Sequence, residues 1–305
     1  SVGQIGIGSD SSYIQYPTQL DGYSFTKIDA SGSHALGLTA DGLVYAWGSG
    51  ANGKLGLGDE ENRNVPELIP DLTDVVDIAA GDYHSFALKS NGDLYGWGYN
   101  AWKVLPNLTY QATYYTPTYT TGGVYKIDSG SMHVLVQYSS GGLTSYGYHR
   151  PCLYCWGHSP NIPGTIADFS AGSGFSLVLL TDGTVVGWGD NDQGQLGDGT
   201  LTSRDNVDYV SNLSNIVAIS AGNRHAIAVD GDGNTWAWGQ NFYGQLGINE
   251  DPYALSGPAN NDTVYCATIP YQVSGYFGNG HLDLNDLTPP SAPINFSGVS
   301  TESGL

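Results

Sequence analysis

The side chains best suited to chemistry in this sequence lie in one short run near its middle. Its four potential ligands, spaced three residues apart, are His149, Cys152, Cys155 and His158. Two thiolates and two imidazoles form a ligand set that Zn²⁺ accepts, although this spacing is tight for closing a tetrahedron. The same residues also predict a disulfide, either from Cys152 or Cys155 to Cys266 or between the first two locally. Zinc, a disulfide and free thiols stay open as alternatives.

A second set of histidines recurs at one slot of an internal repeat. Its members are His34, His84, His133 and His225. A histidine is the commonest general base, so this set invites a catalytic interpretation. The corresponding slot in the fourth copy holds Phe175, however, and packing tolerates that exchange whereas proton transfer does not. We therefore predict structural, hydrogen-bonding histidines and a chain that is not an enzyme and needs no cofactor.

The repeat that carries these histidines is about fifty residues long and occurs five times. It reads, loosely, I-x-A-G-x-x-H-x-x-A-L-x-x-D-G-x-V-Y-x-W-G, and the copies end at Trp47-Gly48, Trp97-Gly98, Tyr146-Gly147, Trp188-Gly189 and Trp238-Gly239. A period near fifty indicates an array of small structural units. The Asp-Gly or Asn-Gly pair between two short apolar runs predicts a hairpin with a type I′ turn. The Gly three residues before the histidine would let neighbouring backbones approach each other.

A Gly-rich tail follows six residues after the Trp in three copies. These tails are Gly53-Lys54-Leu55-Gly56, Gly194-Gln195-Leu196-Gly197 and Gly244-Gln245-Leu246-Gly247. Copies 2 and 3 have residues 101–122 and 148–162 in its place. The segment Ser1–Gly8 resembles such a tail without the hairpin that should precede it, so the chain is expected to begin inside a blade.

These motifs in combination resemble the RCC1 repeat family over residues 28–248. The resemblance implies a β-propeller of four-stranded blades, usually seven. We therefore expect an all-β, RCC1-like propeller over residues 1–285 and an extended tail over 286–305. The expected repeat cores are residues 28–58, 78–98, 127–147, 169–199 and 219–248. A sixth blade would be composite or completed by another molecule.

The two ends of the sequence are the expected assembly elements. Residues 288–296 resemble the linker and first strand of a fibronectin type III domain. A lone edge strand is a template for pairing with another chain. The candidate assembly residues are Ser1, Val2, Gln4, Ile5, Ile7, Pro293, Ile294, Phe296 and Val299.

Charge and composition limit the classes of partner. The sequence has 9 Lys and Arg against 29 Asp and Glu, a net charge of −20, which disfavours nucleic acid and anionic lipid. No apolar run reaches the roughly 18 residues of a membrane span. Abundant Gly and Tyr with little Lys, and a first residue that would suit a processed terminus, favour an extracellular or cell-surface protein. Its glycosylation candidates are Asn107, Asn212, Asn261 and Asn295.

Three functions are compatible with this sequence. The first is a non-catalytic, extracellular structural protein that assembles with copies of itself into a surface layer, sheath or filament through its termini. The second is a secreted module or inhibitor that binds another protein through a propeller face, as the resemblance implies, because the family includes exchange factors for a small GTPase and inhibitors of β-lactamases. The third is a carbohydrate-active enzyme, and its only support is the large number of tyrosines, whose rings can stack on sugars.

Overall fold

Among the residues that the computed structural model describes, twenty β-strands form five four-stranded antiparallel sheets. The model describes residues 2–8, 14–110, 112–148, 155–248 and 266–273, without the side chains of Cys155 and Trp156. Each sheet is a simple meander in which neighbouring strands follow one another along the chain. The sheets are the blades of a β-propeller, and each of the five predicted cores falls within one of them. The predicted domain boundary at residue 285 lies outside the described residues.

The first three blades span residues 27–158. Blade 1 consists of β1 (Lys27–Ser31), β2 (His34–Leu38), β3 (Val44–Gly48) and β4 (Arg63–Leu68), with a short 3-10 turn at Ala51–Gly53. Blade 2 consists of β5 (Val75–Ala80), β6 (His84–Lys89), β7 (Leu94–Tyr99) and β8 (Thr113–Thr121). Blade 3 consists of β9 (Val124–Ser129), β10 (His133–Tyr138), β11 (Leu143–Gly147) and β12 (Cys155–His158).

The last two blades span residues 166–272. Blade 4 consists of β13 (Ile166–Ala171), β14 (Phe175–Leu180), β15 (Val185–Gly189) and β16 (Arg204–Tyr209). Blade 5 consists of β17 (Ile216–Ala221), β18 (His225–Asp230), β19 (Thr235–Gln240) and β20 (Cys266–Gln272). In the described part of the chain, no helix is long and apolar enough to cross a membrane.

The hairpin between the second and third strands of each blade differs in one respect from the prediction. In blade 1 the N–H of Gly42 donates to the carbonyl of Thr39 at 3.1 Å, and Gly42 has a φ of 78°. Asp41, immediately before it, does not have a positive φ. A type I′ turn needs positive φ at both central residues, so that prediction is wrong. The glycine is still required, because it holds the left-handed position that ends the turn.

The hydrophobic core lies between successive blades. Leu36 and Val44 of blade 1 pack in one cluster with Ile78 and Trp97 of blade 2, and all four are fully or almost fully buried. Because the sheets of blades 2 to 4 are covered on both faces, their middle strands are apolar on both sides and do not show the alternation of a half-exposed sheet. Burying one Leu or Ile side chain fully stabilises the folded protein by about 1.5–3 kcal/mol relative to leaving it exposed.

The glycines before the histidine slot permit the close approach of inner strands that the sequence predicted. A Cβ atom at Gly130 would lie 2.0 Å from the carbonyl oxygen of Gly172 in the next blade. A Cβ atom at Gly81 would lie 2.2 Å from the ring of His84 in its own blade. These glycines therefore make room both for the neighbouring backbone and for the ring that follows.

Candidate functional site: the open edges of the propeller

The inner strands of the blades line a central cavity of about 540 Å³. Its polar lining includes Asp29, Asp82, Asp128, Ser129, Ser170 and Ser220. Burial raises the pKa of Asp128 to about 6 and also raises the pKa of Asp29. Asp29 Oδ2 accepts the N–H of Ala80 at 2.8 Å, and Asp128 Oδ2 accepts the N–H of Ala171 at 2.7 Å. Both carboxylates therefore connect neighbouring inner strands.

The repeat histidines form a second set of connections between blades. His34 Nε2 lies 2.8 Å from Ser85 Oγ of the next blade. The corresponding distances are 2.9 Å from His84 to Ser129 and from His133 to Ser176. Burial lowers the pKa of both His34 and His84 to about 3, so these rings are neutral in the folded protein. These hydrogen bonds fit the structural role that the sequence predicted for the histidines, and the structure adds that they link neighbouring blades.

The Gly-rich tails of blades 1 and 4 pack on the tryptophan of the following blade. A Cβ atom at Gly56 would lie 2.8 Å from Trp97 Nε1, so only glycine fits there. The indole N–H of Trp97 donates to the carbonyl of Lys54 at 2.9 Å. Trp238 donates in the same way, at 2.9 Å, to the carbonyl of Gln195 in the tail of blade 4. The tail therefore belongs to one blade and holds the next.

The far end of these two tails binds the outer strand of that same following blade, and in blade 4 Gly199 donates its N–H to Thr268 O at 2.8 Å. Gly58 donates its N–H to Tyr115 O at 2.9 Å, on β8 of blade 2. The N-terminal segment repeats both contacts on blade 1: a Cβ at Gly6 would lie 2.8 Å from Trp47 Nε1, and Gly8 donates to Asn64 O at 2.7 Å. Residues 2–8 thus have the geometry of a tail, as their sequence predicted.

Blade 2 also has a tail, which its sequence concealed. Leu105 donates its N–H to Asn100 Oδ1 at 2.9 Å, the bond by which Asn191 holds the tail of blade 4. Lys103 and Asn107 have φ values of 58° and 60°, the conformation that glycines supply in other tails. Copy 2 lacks the G-Q-L-G sequence, as the sequence analysis states, yet other side chains adopt the backbone conformation of a tail in its place. The sequence does contain a signal for this tail, because Asn100 follows Trp97 by three residues just as Asn191 follows Trp188.

The outgoing face of blade 5 has no following blade on it among the described residues. Ile227 of β18 is 40% exposed. Its counterparts in the other blades, all 0% exposed, are Leu36, Phe86, Leu135 and Leu177. Phe242 and Tyr243, which precede the blade 5 tail, are 59% and 84% exposed, with ring centroids 4.8 Å apart. We call Ile227, Phe242, Tyr243 and the tail 244–247 the blade 5 face.

Known repeat models match both halves of the chain. A family model described as the regulator of chromosome condensation (RCC1) repeat matches residues 41–88 and 182–229. A second model with that description matches residues 25–54, 166–195 and 216–245. The chain belongs to the RCC1-repeat β-propeller family. Its five described blades are RCC1 blades, and the structural histidines and Trp-Gly pairs belong to the packing within and between them.

Several relatives and solved structures share this RCC1 architecture. The chain is 33% identical over 215 residues to the ultraviolet-B receptor UVR8 of Arabidopsis thaliana, covering 65% of this chain and 49% of UVR8. It is 31% identical over 280 residues to the human E3 ubiquitin-protein ligase HERC2, covering 66% of this chain and 6% of HERC2. A chain from the crystal structure of Kap60 bound to yeast RCC1 (Prp20) superposes with a TM-score of 0.71 at 19% identity, covering 84% of this chain and 62% of that chain.

This RCC1 chain spans about half the length of UVR8 and a small part of HERC2. The structure of human WBSCR16 superposes with a TM-score of 0.67 at 21% identity, covering 81% of this chain and 66% of that chain. At such identities the solved structures establish the RCC1 fold alone.

The predicted metal and disulfide residues fall mainly outside the described side chains. His149 and Cys152 are not described, nor is the side chain of Cys155, so the zinc site and the local disulfide stay predictions. Cys266 is a buried, free thiol on β20, and the predicted bridge from it is therefore not formed in the structure. Among the side chains that are described, no group of three or more His, Cys, Asp or Glu could hold a metal ion.

Two of the glycosylation candidates lie on the described surface of this RCC1 propeller. Asn107 and Asn212 are exposed and have φ values of 60° and 57°. The amide of Asn107 donates to Thr120 O at 3.0 Å. Asn261 and Asn295 lie outside the described residues, and modification at all four stays a prediction.

The predicted assembly residues are divided between two situations. Those in the N-terminal segment (Val2, Gln4, Ile5 and Ile7) lie against blade 1 of the same chain. Ser1 and the C-terminal candidates lie outside the described residues; these are Pro293, Ile294, Phe296 and Val299. The N-terminal segment therefore packs on its own chain. Its role in assembly stays a prediction, and only its exposed side chains are available for it.

Proposed function

We propose that this chain is a non-catalytic RCC1-type interaction module that assembles with copies of itself through the blade 5 face. The observation that carries the proposal is the 40% exposure of Ile227 at a slot that is 0% exposed in the other four blades. The same surface packs against a following blade at each of the four interfaces between described blades. An apolar surface built for packing and left uncovered is typical of a protein interface.

The chemistry of this face favours association between copies despite their like charges. Ile227, Phe242 and Tyr243 carry no charge, and exposed aromatic pairs are enriched where proteins meet. The net charge of −20 opposes association at long range, and salt screens that repulsion. We therefore expect assembly to increase with ionic strength, as an apolar contact between acidic molecules should.

The biological form of the assembly is part of the proposal. Contacts in which the blade 5 face meets a different surface of the next copy do not close and produce a layer, sheath or filament, whereas two blade 5 faces that meet each other would stop at a dimer. The acidic, Lys-poor composition supports an extracellular or cell-surface setting. The alternative is a secreted module or inhibitor that holds a different protein in a one-to-one complex. Fractionation of the source cells with an antibody to the chain tests the setting, and recovery only from the cell interior would contradict it.

The blade 5 face is tested by changing one residue. Light scattering and electron microscopy of the wild-type chain should show mass that rises with protein and salt concentration. Ile227→Asp should return the chain to a monomer, because it places a charge in the contact. Val217→Asp is the matched control, since Val217 is 54% exposed in the same blade and its counterpart Val76 is 55% exposed. A monodisperse wild-type monomer at all concentrations overturns self-assembly.

A further inference from the structure

The interface between blades 2 and 3 differs from the other interfaces between described blades at the tryptophan slot. Blade 3 has Tyr146 where blades 2 and 5 have Trp97 and Trp238. Trp97 is fully buried, and its indole N–H donates to the carbonyl of Lys54 in the preceding tail. Tyr146 is only partly buried, and its hydroxyl lies 2.8 Å from the hydroxyl of Tyr138 in its own blade. The ring at this slot is therefore smaller, and its polar atom is bound within blade 3.

The tail of blade 2 also differs at the place where a tail meets that ring. In blade 1, Gly56 follows the tail leucine and lies so close to Trp97 that a Cβ atom on it would be 2.8 Å from Nε1. In blade 2 the tail leucine is Leu105, and Pro106 and Asn107 follow it. Side chains larger than glycine are accommodated there because the facing slot holds no indole. The two sides of this interface have therefore both departed from the repeat.

A cavity of about 450 Å³ lies between these two sides, and we call it the Tyr146 cavity. Tyr146 lines one side, and tail residues including Leu105, Pro106 and Leu108 line the other. The volume is within the range of sites that bind small molecules, and such sites are mostly apolar with a few polar groups. The cavity is thus bordered by the residues that correspond to the contacting tail and tryptophan of blades 1 and 2. An aromatic ring fills that place in the other interface.

The charge of the Tyr146 cavity comes from one lysine. Among the described residues of its lining, Lys103 is the one that carries a charge. Its Nζ lies 5.3 Å from the ring centroid of Tyr110, close enough for the ring to attract and orient the ammonium group. The polar side chains Asn107 and Thr109 complete the tail side of the lining. An apolar wall with a single cation suits a ligand that combines an apolar ring with a negative charge.

We infer that the Tyr146 cavity binds a small aromatic acid of the indole type. Its fused ring takes the place that a tryptophan ring fills between blades 1 and 2, against Leu105 and Leu108. Its carboxylate pairs with the ammonium group of Lys103. The repeat therefore indicates the shape of the ligand, and the lysine indicates the sign of its charge. The cavity lies between blades 2 and 3, apart from the blade 5 face, so this site and the proposed function stand independently.

Two probes of opposite charge test the site on the intact chain, produced in bacteria so that Asn107 carries no glycan. Indole-3-propionate is the anion, tryptamine is the matched cation, and amide chemical shifts of the tail report binding. We expect the anion to bind about fivefold or more tightly, and Lys103→Gln to remove this preference. Lys89→Gln is the control, because Lys89 Nζ lies 5.0 Å from the ring of Tyr95 elsewhere in blade 2. Absence of saturable shifts in the tail, or equal affinity for both probes, overturns the inference.

A second experiment fills the cavity from within. Tyr146→Trp restores the indole of the repeat, so it should weaken binding of indole-3-propionate by about tenfold or more and raise the melting temperature by roughly 2 °C or more. Tyr125→Trp is the control, since Tyr125 is 69% exposed in the same blade, and it should change neither value. Leu108→Phe narrows the cavity from the tail and serves if Tyr146→Trp does not fold. Unchanged affinity in a folded filling variant overturns the inference, and none of these results depends on Ile227.

Discussion

The indole N–H of Trp238 in blade 5 donates a 2.9 Å hydrogen bond to the backbone carbonyl of Gln195 in the tail of blade 4. This bond joins two repeats that are neighbours in sequence and in space. The pair formed by Trp97 and Lys54 joins blades 1 and 2 in the same way. In these two pairs the repeated tryptophan therefore connects neighbouring blades. Its partner is a backbone carbonyl oxygen, which cannot be identified from a pattern of side chains.

Replacing this indole should weaken the contact between blades. Trp238→Phe keeps a large aromatic ring and leaves the buried carbonyl of Gln195 without its donor, so we expect a loss of about 1–3 kcal/mol in the free energy of unfolding. Denaturant titration followed by circular dichroism measures it. Trp188→Phe is the matched control, because Trp188 Nε1 is equally buried and has no hydrogen-bond partner among the described residues. Equal losses in both variants would show that the hydrogen bond is unimportant.

The buried histidines should make stability depend on pH on the acid side of neutrality. The pKa of His84 is about 3 in the folded protein against 6.5 as its ordinary value, so the unfolded chain takes up the proton first. The stability due to the neutral ring is therefore complete above pH 6.5 and is lost as the pH falls towards 3. This dependence amounts to at most about 1.4 kcal/mol per pH unit for one residue.

His84→Phe tests this dependence, because Phe175 already occupies the same slot in blade 4. The variant should lose less stability than the wild type between pH 6.5 and about 3, measured as the denaturant midpoint at each pH. Phe175→His should steepen the same profile. Parallel profiles for all three proteins would contradict the assigned pKa.

The close approach of the inner strands should make one class of glycine intolerant of a methyl group. Gly130→Ala would place Cβ 2.0 Å from the carbonyl of Gly172 and 2.9 Å from the ring of His133. Because the first of these is backbone, we expect a loss of roughly 2 kcal/mol or more in the free energy of unfolding. Gly142→Ala is the control: its nearest atom would be 4.0 Å away, so thermal melting should change little. A neutral Gly130→Ala would show that the inner strands can move apart.

The three cysteines should react differently with a thiol reagent. Cys266 is buried, and burial raises the pKa of its thiol to about 11, so it should react slowly in the native protein and rapidly in denaturant. If Cys152 and Cys155 form the predicted local disulfide, a denatured, unreduced sample contains one reactive thiol per chain. Three reactive thiols would eliminate the disulfide. Rapid labelling of Cys266 in the native protein, measured by mass spectrometry of its peptide, would contradict its burial.

Much of the architecture followed from the repeat alone. The recurring Trp-Gly pair, the turn glycine and the histidine slot predicted small sheets packed in series, and the described part of the chain has five of them. The substitution of Phe175 for histidine was enough to predict a packing role for the slot. These predictions succeed because side-chain volume and backbone conformation at a repeated slot are set by local contacts that recur in every copy.

The tertiary structure decided what the sequence could not. It showed that Lys103–Asn107 forms a tail, because Asn100 and a left-handed backbone reproduce the shape without the glycines. It also separated Ile5, Ile28 and Ile227 from their buried counterparts, although all are ordinary members of the apolar pattern. Sequence specifies which residues suit burial, whereas only the arrangement of neighbouring blades determines which of them have something to be buried against. Among the described residues, the exposure of an apolar side chain is therefore decided by the fold and not by the apolar pattern.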